Sequence, residues 1–119
     1  MMEKDYKMSL LYDFYKGILS DKQAEAIDLY YNNDLSLAEI AQELGITRQG
    51  VRDNIKRGEK LICETEEKLG LYKKYTEICG IAKDISDCAD TLMKTEDINC
   101  AKKIGKRLEG IANRINQLN

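Results

Sequence analysis

The chain has no proline, no histidine and no tryptophan, and only one phenylalanine in 119 residues. Without proline, no interior position is barred from an α-helix by a missing N–H. Without histidine, the usual general base at neutral pH and the commonest metal ligand are gone. No apolar run approaches the roughly 20 residues needed to span a bilayer. Charges run through the N-terminal MMEKDYKMSLLYDFYKG, so it lacks the apolar stretch of a signal peptide. A cytoplasmic protein with no membrane segment is expected. No phosphate-binding loop, nucleophile elbow or metal-ligand set is present, so no enzyme and no cofactor is expected.

Cys63, Cys79, Cys88 and Cys100 form no C-x-x-C pair. With no histidine to complete a site, zinc is not expected, and the thiols read as small buried or half-buried apolar residues. Charged residues make up 34% of the chain and hydrophobic ones 43%. That balance suits a protein rich in amphipathic helix. β-Branched residues are sparse outside apolar helical positions, which predicts an all-α fold.

Residues 36–60, SLAEIAQELGITRQGVRDNIKRGEK, carry the densest signal. Ser36 and Glu39 form a capping box that opens a helix. Ile40, Ala41 and Leu44 recur at helical spacing. Gly45 supplies the positive φ of a sharp exit, and Ile46 is expected to plug the corner. Thr47 caps a second helix, with Val51, Ile55, Gly58 and Ile62 facing inward. This is the pattern of a helix-turn-helix, which offers its second helix to a nucleic-acid groove.

Opposite the inward line, a turn of 100° per residue places Gln49, Asp53, Lys56 and Lys60, flanked by Arg52 and Arg57. Gln49 and Arg52 lie in the first turns, where base edges are read; arginine matches guanine and glutamine matches adenine. Arg48, Lys56 and Lys60 suit phosphates, as do the helix N-termini at Ser36 and Thr47. The net charge is −2, so any polyanion site must be local. From Thr47 to Lys60, five cations stand against two acids.

Upstream, a helix is expected over residues 4–17, with Met8, Leu11, Tyr12 and Tyr15 inward. A second opens at the Ser20/Gln23 capping box and runs to Tyr31, with Ala24, Ile27, Tyr31 and Tyr30 as its inward residues. Downstream of Gly70 the pattern changes. Leu71, Tyr75, Ile78, Ala82, Ile85, Ala89 and Leu92 step by 4, 3, 4, 3, 4, 3, a heptad seam. Thr95 is a candidate N-cap for a last helix, whose Ile104, Leu108, Ile111, Ile115 and Leu118 repeat the seam. The two helices are expected to pack as an antiparallel hairpin along these seams. Leftover apolar groups call for a further partner, with self-association into a homodimer expected. The organisation expected is a helix-turn-helix domain over 1–69 and a helical hairpin over 70–119, for oligomerisation or partner binding.

The segment LSDKQAEAIDLYYNNDLSLAEIAQELGITRQGVRDNIKRGEKLI resembles region four of bacterial sigma factors. The phrases YDFYKGILSDKQ, DLSLAEIA, RQGVRDNIKR and EEKLGLYKK resemble more closely the YlxM family of helix-turn-helix proteins associated with the signal recognition particle. The resemblance runs over about residues 8–75. It implies a DNA-binding regulatory protein linked to that particle's pathway. The alternative is a non-enzymatic accessory protein that binds protein or RNA of the particle through its C-terminal helices. Carried over by position, the sigma-type base-reading turns fall on Arg48, Gln49 and Arg52. Gly50 and Asp53 stand where sigma factors usually carry long polar donors, and Asn54 where an apolar residue is usual.

Overall fold

The computed structural model describes residues 6–118. Within them the chain forms six α-helices and one 3-10 turn, and no strand. The helices are α1 (Tyr6–Tyr15), α2 (Asp21–Tyr31), α3 (Leu37–Leu44), α4 (Arg48–Leu69), α5 (Leu71–Lys94) and α6 (Ile98–Asn116). Residues 4 and 5 of the expected first helix lie outside the described residues. The chain divides into two compact units, residues 1–70 and 71–119.

The first unit is set up by its caps. Ser20 Oγ accepts from the Gln23 amide at 3.2 Å while Gln23 Oε1 accepts from the Ser20 amide at 3.1 Å. Ser36 and Glu39 do the same at 3.1 Å each way. Both reciprocal pairs satisfy donors that a helix start leaves open. Gly45 ends α3 at φ 67°, in the left-handed region that a side chain disfavours. Its neighbour Ile46 departs from expectation: it is exposed rather than plugging the corner. The turn is held instead by the Ile46 amide donating to the Ala41 carbonyl at 3.1 Å.

α4 is the element that α1, α2 and α3 all touch. Its inward line is Val51, Ile55, Gly58 and Ile62, all buried. Gly58 matters for a close approach. A Cβ there would lie 2.5 Å from Ile27 Cδ1, so the missing side chain lets α2 come in close. The inward line of α2 is Ala26, Ile27 and Tyr30, whereas Ala24 and Tyr31 are only half-buried. Tyr31 turns its hydroxyl to donate to Glu59, as Tyr15 does to Glu66. Met8, Leu11, Tyr12 and Tyr15 of α1 complete the core.

The second unit is an antiparallel pair, α5 and α6, joined by the three residues 95–97. Asp97 rather than Thr95 caps α6, accepting from the Asn99 amide at 2.9 Å, while Thr95 Oγ1 accepts from the Asp97 amide at 3.2 Å. The buried residues are Ile81, Cys88, Ile104 and Ile111, with Cys100, Leu108 and Leu118 packed against them. The heptad seam expected to face α6 is therefore corrected. All seven of its positions on α5 are exposed, and the contact runs through Ile81 and Cys88 instead. On α6, Ile115 also sits outside the contact, 45% exposed. An ion pair at 2.7 Å between Arg114 and Asp84 flanks the contact. The guanidinium holds the Asp84 carboxyl below its usual range, first through the hydrogen bond. Cys88 is buried and Cys100 half-buried, but Cys63 and Cys79 are exposed, against the expectation for all four.

Candidate nucleic-acid interface

Thr47 starts the outward helix. Its Oγ1 accepts from the Gly50 amide at 3.0 Å and fixes the first turn of α4. With Val51, Ile55 and Gly58 locked inward, the 100° step turns Gln49, Arg52, Lys56 and Lys60 to solvent. All four are exposed, as is Arg48 in the first turn. Arg48, Arg52 and Lys56 have no ion-pair partner among the described residues. Their charge is available to an incoming anion without first breaking a protein contact.

Two residues of the expected set are engaged. Gln49 Nε2 donates to Asp53 Oδ1 at 3.0 Å, one helical turn away. That bond orients the amide and also places a carboxylate on the outward strip. Lys60 Nζ stands 3.9 Å from Glu64 Oε1, with both side chains more than half exposed. Such a loose, solvated pair holds the lysine weakly.

Ser36 lies apart from this strip in sequence but shares a concavity with Arg48. Both line a shallow concavity of about 290 Å³ at the start of α3, together with Tyr30, Leu37, Asp34 and Glu39. The Ser36 hydroxyl is occupied by its own helix, accepting from the Glu39 amide. The two acids set the local charge against Arg48. The outward strip of α4 is thus the more cationic surface, and the Ser36 corner the less. Asp34, which is not among the candidate site residues, lines this corner with a positive φ of 55°.

Among the described residues, no group of three or more acidic or cysteine side chains is placed to hold a metal ion. Nor, among the described residues, is any helix long and apolar enough to cross a membrane.

A family model described as "Putative helix-turn-helix protein, YlxM / p13 like" matches residues 2–104. A UPF0122 protein of Acetivibrio thermocellus is 46% identical over 114 residues, covering 92% of this chain and 97% of the relative. One from a Thermoanaerobacter species is 43% identical over 119 residues, covering 99% of each. One from Streptococcus thermophilus is 44% identical over 107 residues, covering 89% of this chain and 97% of its own length. The similarity spans both units at nearly full length, and the chain belongs to the YlxM / p13-like family of helix-turn-helix proteins.

Proposed function

We propose that this chain is a DNA-binding regulatory protein that acts as a homodimer. Gln49 and Arg52 read base edges from the first turns of α4, and Arg48, Lys56 and Lys60 meet phosphates together with the helix N-termini at Ser36 and Thr47. The observation that carries this reading is the outward strip of α4, the second helix of the helix-turn-helix, where Arg48, Arg52 and Lys56 are exposed and without ion-pair partners among the described residues. Bidentate arginine or glutamine contacts discriminate bases by about 1–3 kcal/mol each, enough for specificity from two or three side chains. Three or four phosphate contacts per copy give a salt slope of about −3 to −4, and two copies about double it. One copy alone would bind weakly at physiological salt, which is why pairing belongs to the proposal. The link to the signal recognition particle pathway that the resemblance implies is part of the same reading.

The test is selection from a genomic DNA pool followed by fluorescence anisotropy at low salt. Arg52→Ala is expected to weaken the selected site roughly 10- to 100-fold, with unchanged helicity because the side chain is exposed. Asp53→Asn is expected to tighten binding, since it removes the carboxylate that opposes phosphate. Equal binding by Arg52→Ala, Gln49→Ala and Lys56→Ala would sink the proposal. Crosslinking in the native cell, read for DNA and RNA together, tests the tie to the particle. Recovery of that particle's RNA without DNA would replace the regulator with an accessory protein.

A further inference from the structure

Within the hairpin, α6 covers the Ile81–Cys88 side of α5 and leaves the neighbouring heptad seam open. Leu71, Tyr75, Ile78, Ile85 and Leu92 are each between 39% and 54% exposed. Ala82 and Ala89 fill the remaining seam positions, and no seam position carries a charge. At 1.5 Å per residue this stripe runs roughly 33 Å along one helix. An uncharged stripe of that length does not suit a phosphate backbone, and it is too long for a small ligand.

We propose that the occupant is the same stripe of a second copy, so that α5 pairs with α5 antiparallel. This deepens the homodimer reading above by naming its surface and register. Three observations favour it. First, the 4, 3 spacing over seven positions is the repeat that lets helices interdigitate along a seam. Second, the side chains complement one another in one antiparallel register. Ala82 of one copy meets Ile85 of the other, Ala89 meets Ile78, and Tyr75 meets Leu92. Every alanine then faces a large residue. A parallel pairing in register would instead stack Ala82 on Ala82 and Ala89 on Ala89, leaving voids between isoleucine layers. Third, a mostly apolar groove of about 610 Å³ already lies along this side of α5, lined by Ile78, Ile81, Ala82 and Ile85 together with Lys74 and, from α6, Ile115. In the antiparallel register Ile85 of the second copy would seat at Ala82, one of the groove's lining residues. Seven seam positions from each copy, extended by the groove walls, are the surface available toward the roughly 1,000 Å² in total that a specific interface needs.

The experiment is sedimentation of the full chain at tens of micromolar without DNA. The wild type is expected to run as a dimer. Ile78→Glu with Ile85→Glu is expected to run as a monomer of unchanged helicity, because both side chains are already exposed in the single chain. The register is read by Ala82→Ile. In the antiparallel pairing it sets isoleucine against isoleucine at two symmetric places and weakens dimerisation at least about tenfold. Adding Ile85→Ala restores it. A monomeric wild type, or a dimer that survives the double glutamate change, overturns the interface. Tighter association of Ala82→Ile overturns the antiparallel register, since a parallel pair would gain from the added volume. DNA binding by Arg52 is measured separately. A monomer that still binds DNA leaves the base-reading strip standing, and a dimer that binds none leaves the interface standing.

Discussion

Six side chains of the helix-turn-helix unit have no accessible surface: Ala26, Ile27, Ile40, Val51, Ile55 and Ile62. Among the described residues the hairpin has one, Cys88. The contrast follows from geometry. Four helices can surround a shared centre, so each apolar stripe finds neighbours on several sides. Two helices meet along a single line, and apolar groups off that line stay wet. Both units contain similar helices with similar residues. Their difference shows that a pattern of apolar residues states how much surface wants covering, while the number of neighbouring elements decides how much is covered.

The contrast can be broken or sharpened by mutation. The largest effect is expected from Ile55→Ala, which empties a site enclosed by several helices and costs about 3–4 kcal/mol. The same truncation at Ile104, in the thinner hairpin, is expected to cost about 2 kcal/mol, because its surroundings can collapse into the gap. Thermal unfolding followed by circular dichroism separates the two, and equal losses would contradict the contrast. Next comes Ser36→Ala, which removes half of a capping box and costs about 1 kcal/mol in the first unit. Hydrogen exchange at the α3 amides should report it, with the hairpin amides unmoved. The smallest effect concerns acid. Asp84 titrates lower in the folded hairpin than in the unfolded chain, so its contribution is present above the ordinary carboxylate range near pH 4. It is lost as pH falls through the lowered value. Arg114→Ala should therefore abolish part of the hairpin's acid sensitivity without altering that of the first unit.

The two units were also unequally legible. Ser20 with Gln23, and Ser36 with Glu39, can be read from four residues because a capping box is a local device. The α4 line Val51, Ile55, Gly58 and Ile62 can be read because one face is apolar and the other polar. On α5 two faces are apolar. The heptad seam is the longer, but Ile81 and Cys88 bind α6, and nothing within α5 alone ranks one face above the other. That choice depends on how a three-residue link delivers α6. Ile46 illustrates another limit: the corner closes through its amide, so its side chain is left outside. In the candidate site, helical spacing gives the direction of Gln49, Arg52 and Lys56. It cannot say that the Gln49 amide is already held by Asp53, because i, i+4 spacing permits the bond without requiring it.

Cys88 gives the hairpin a gauge of its own breathing. Its sulfur is sealed while Cys63 and Cys79 are exposed, so a maleimide or aromatic disulfide reagent should modify the latter two first. Cys88 can react only during moments when α5 and α6 come apart. In a background where the other thiols are serine, the lag before that modification therefore clocks the opening equilibrium of one hairpin, with no label added to the chain beforehand.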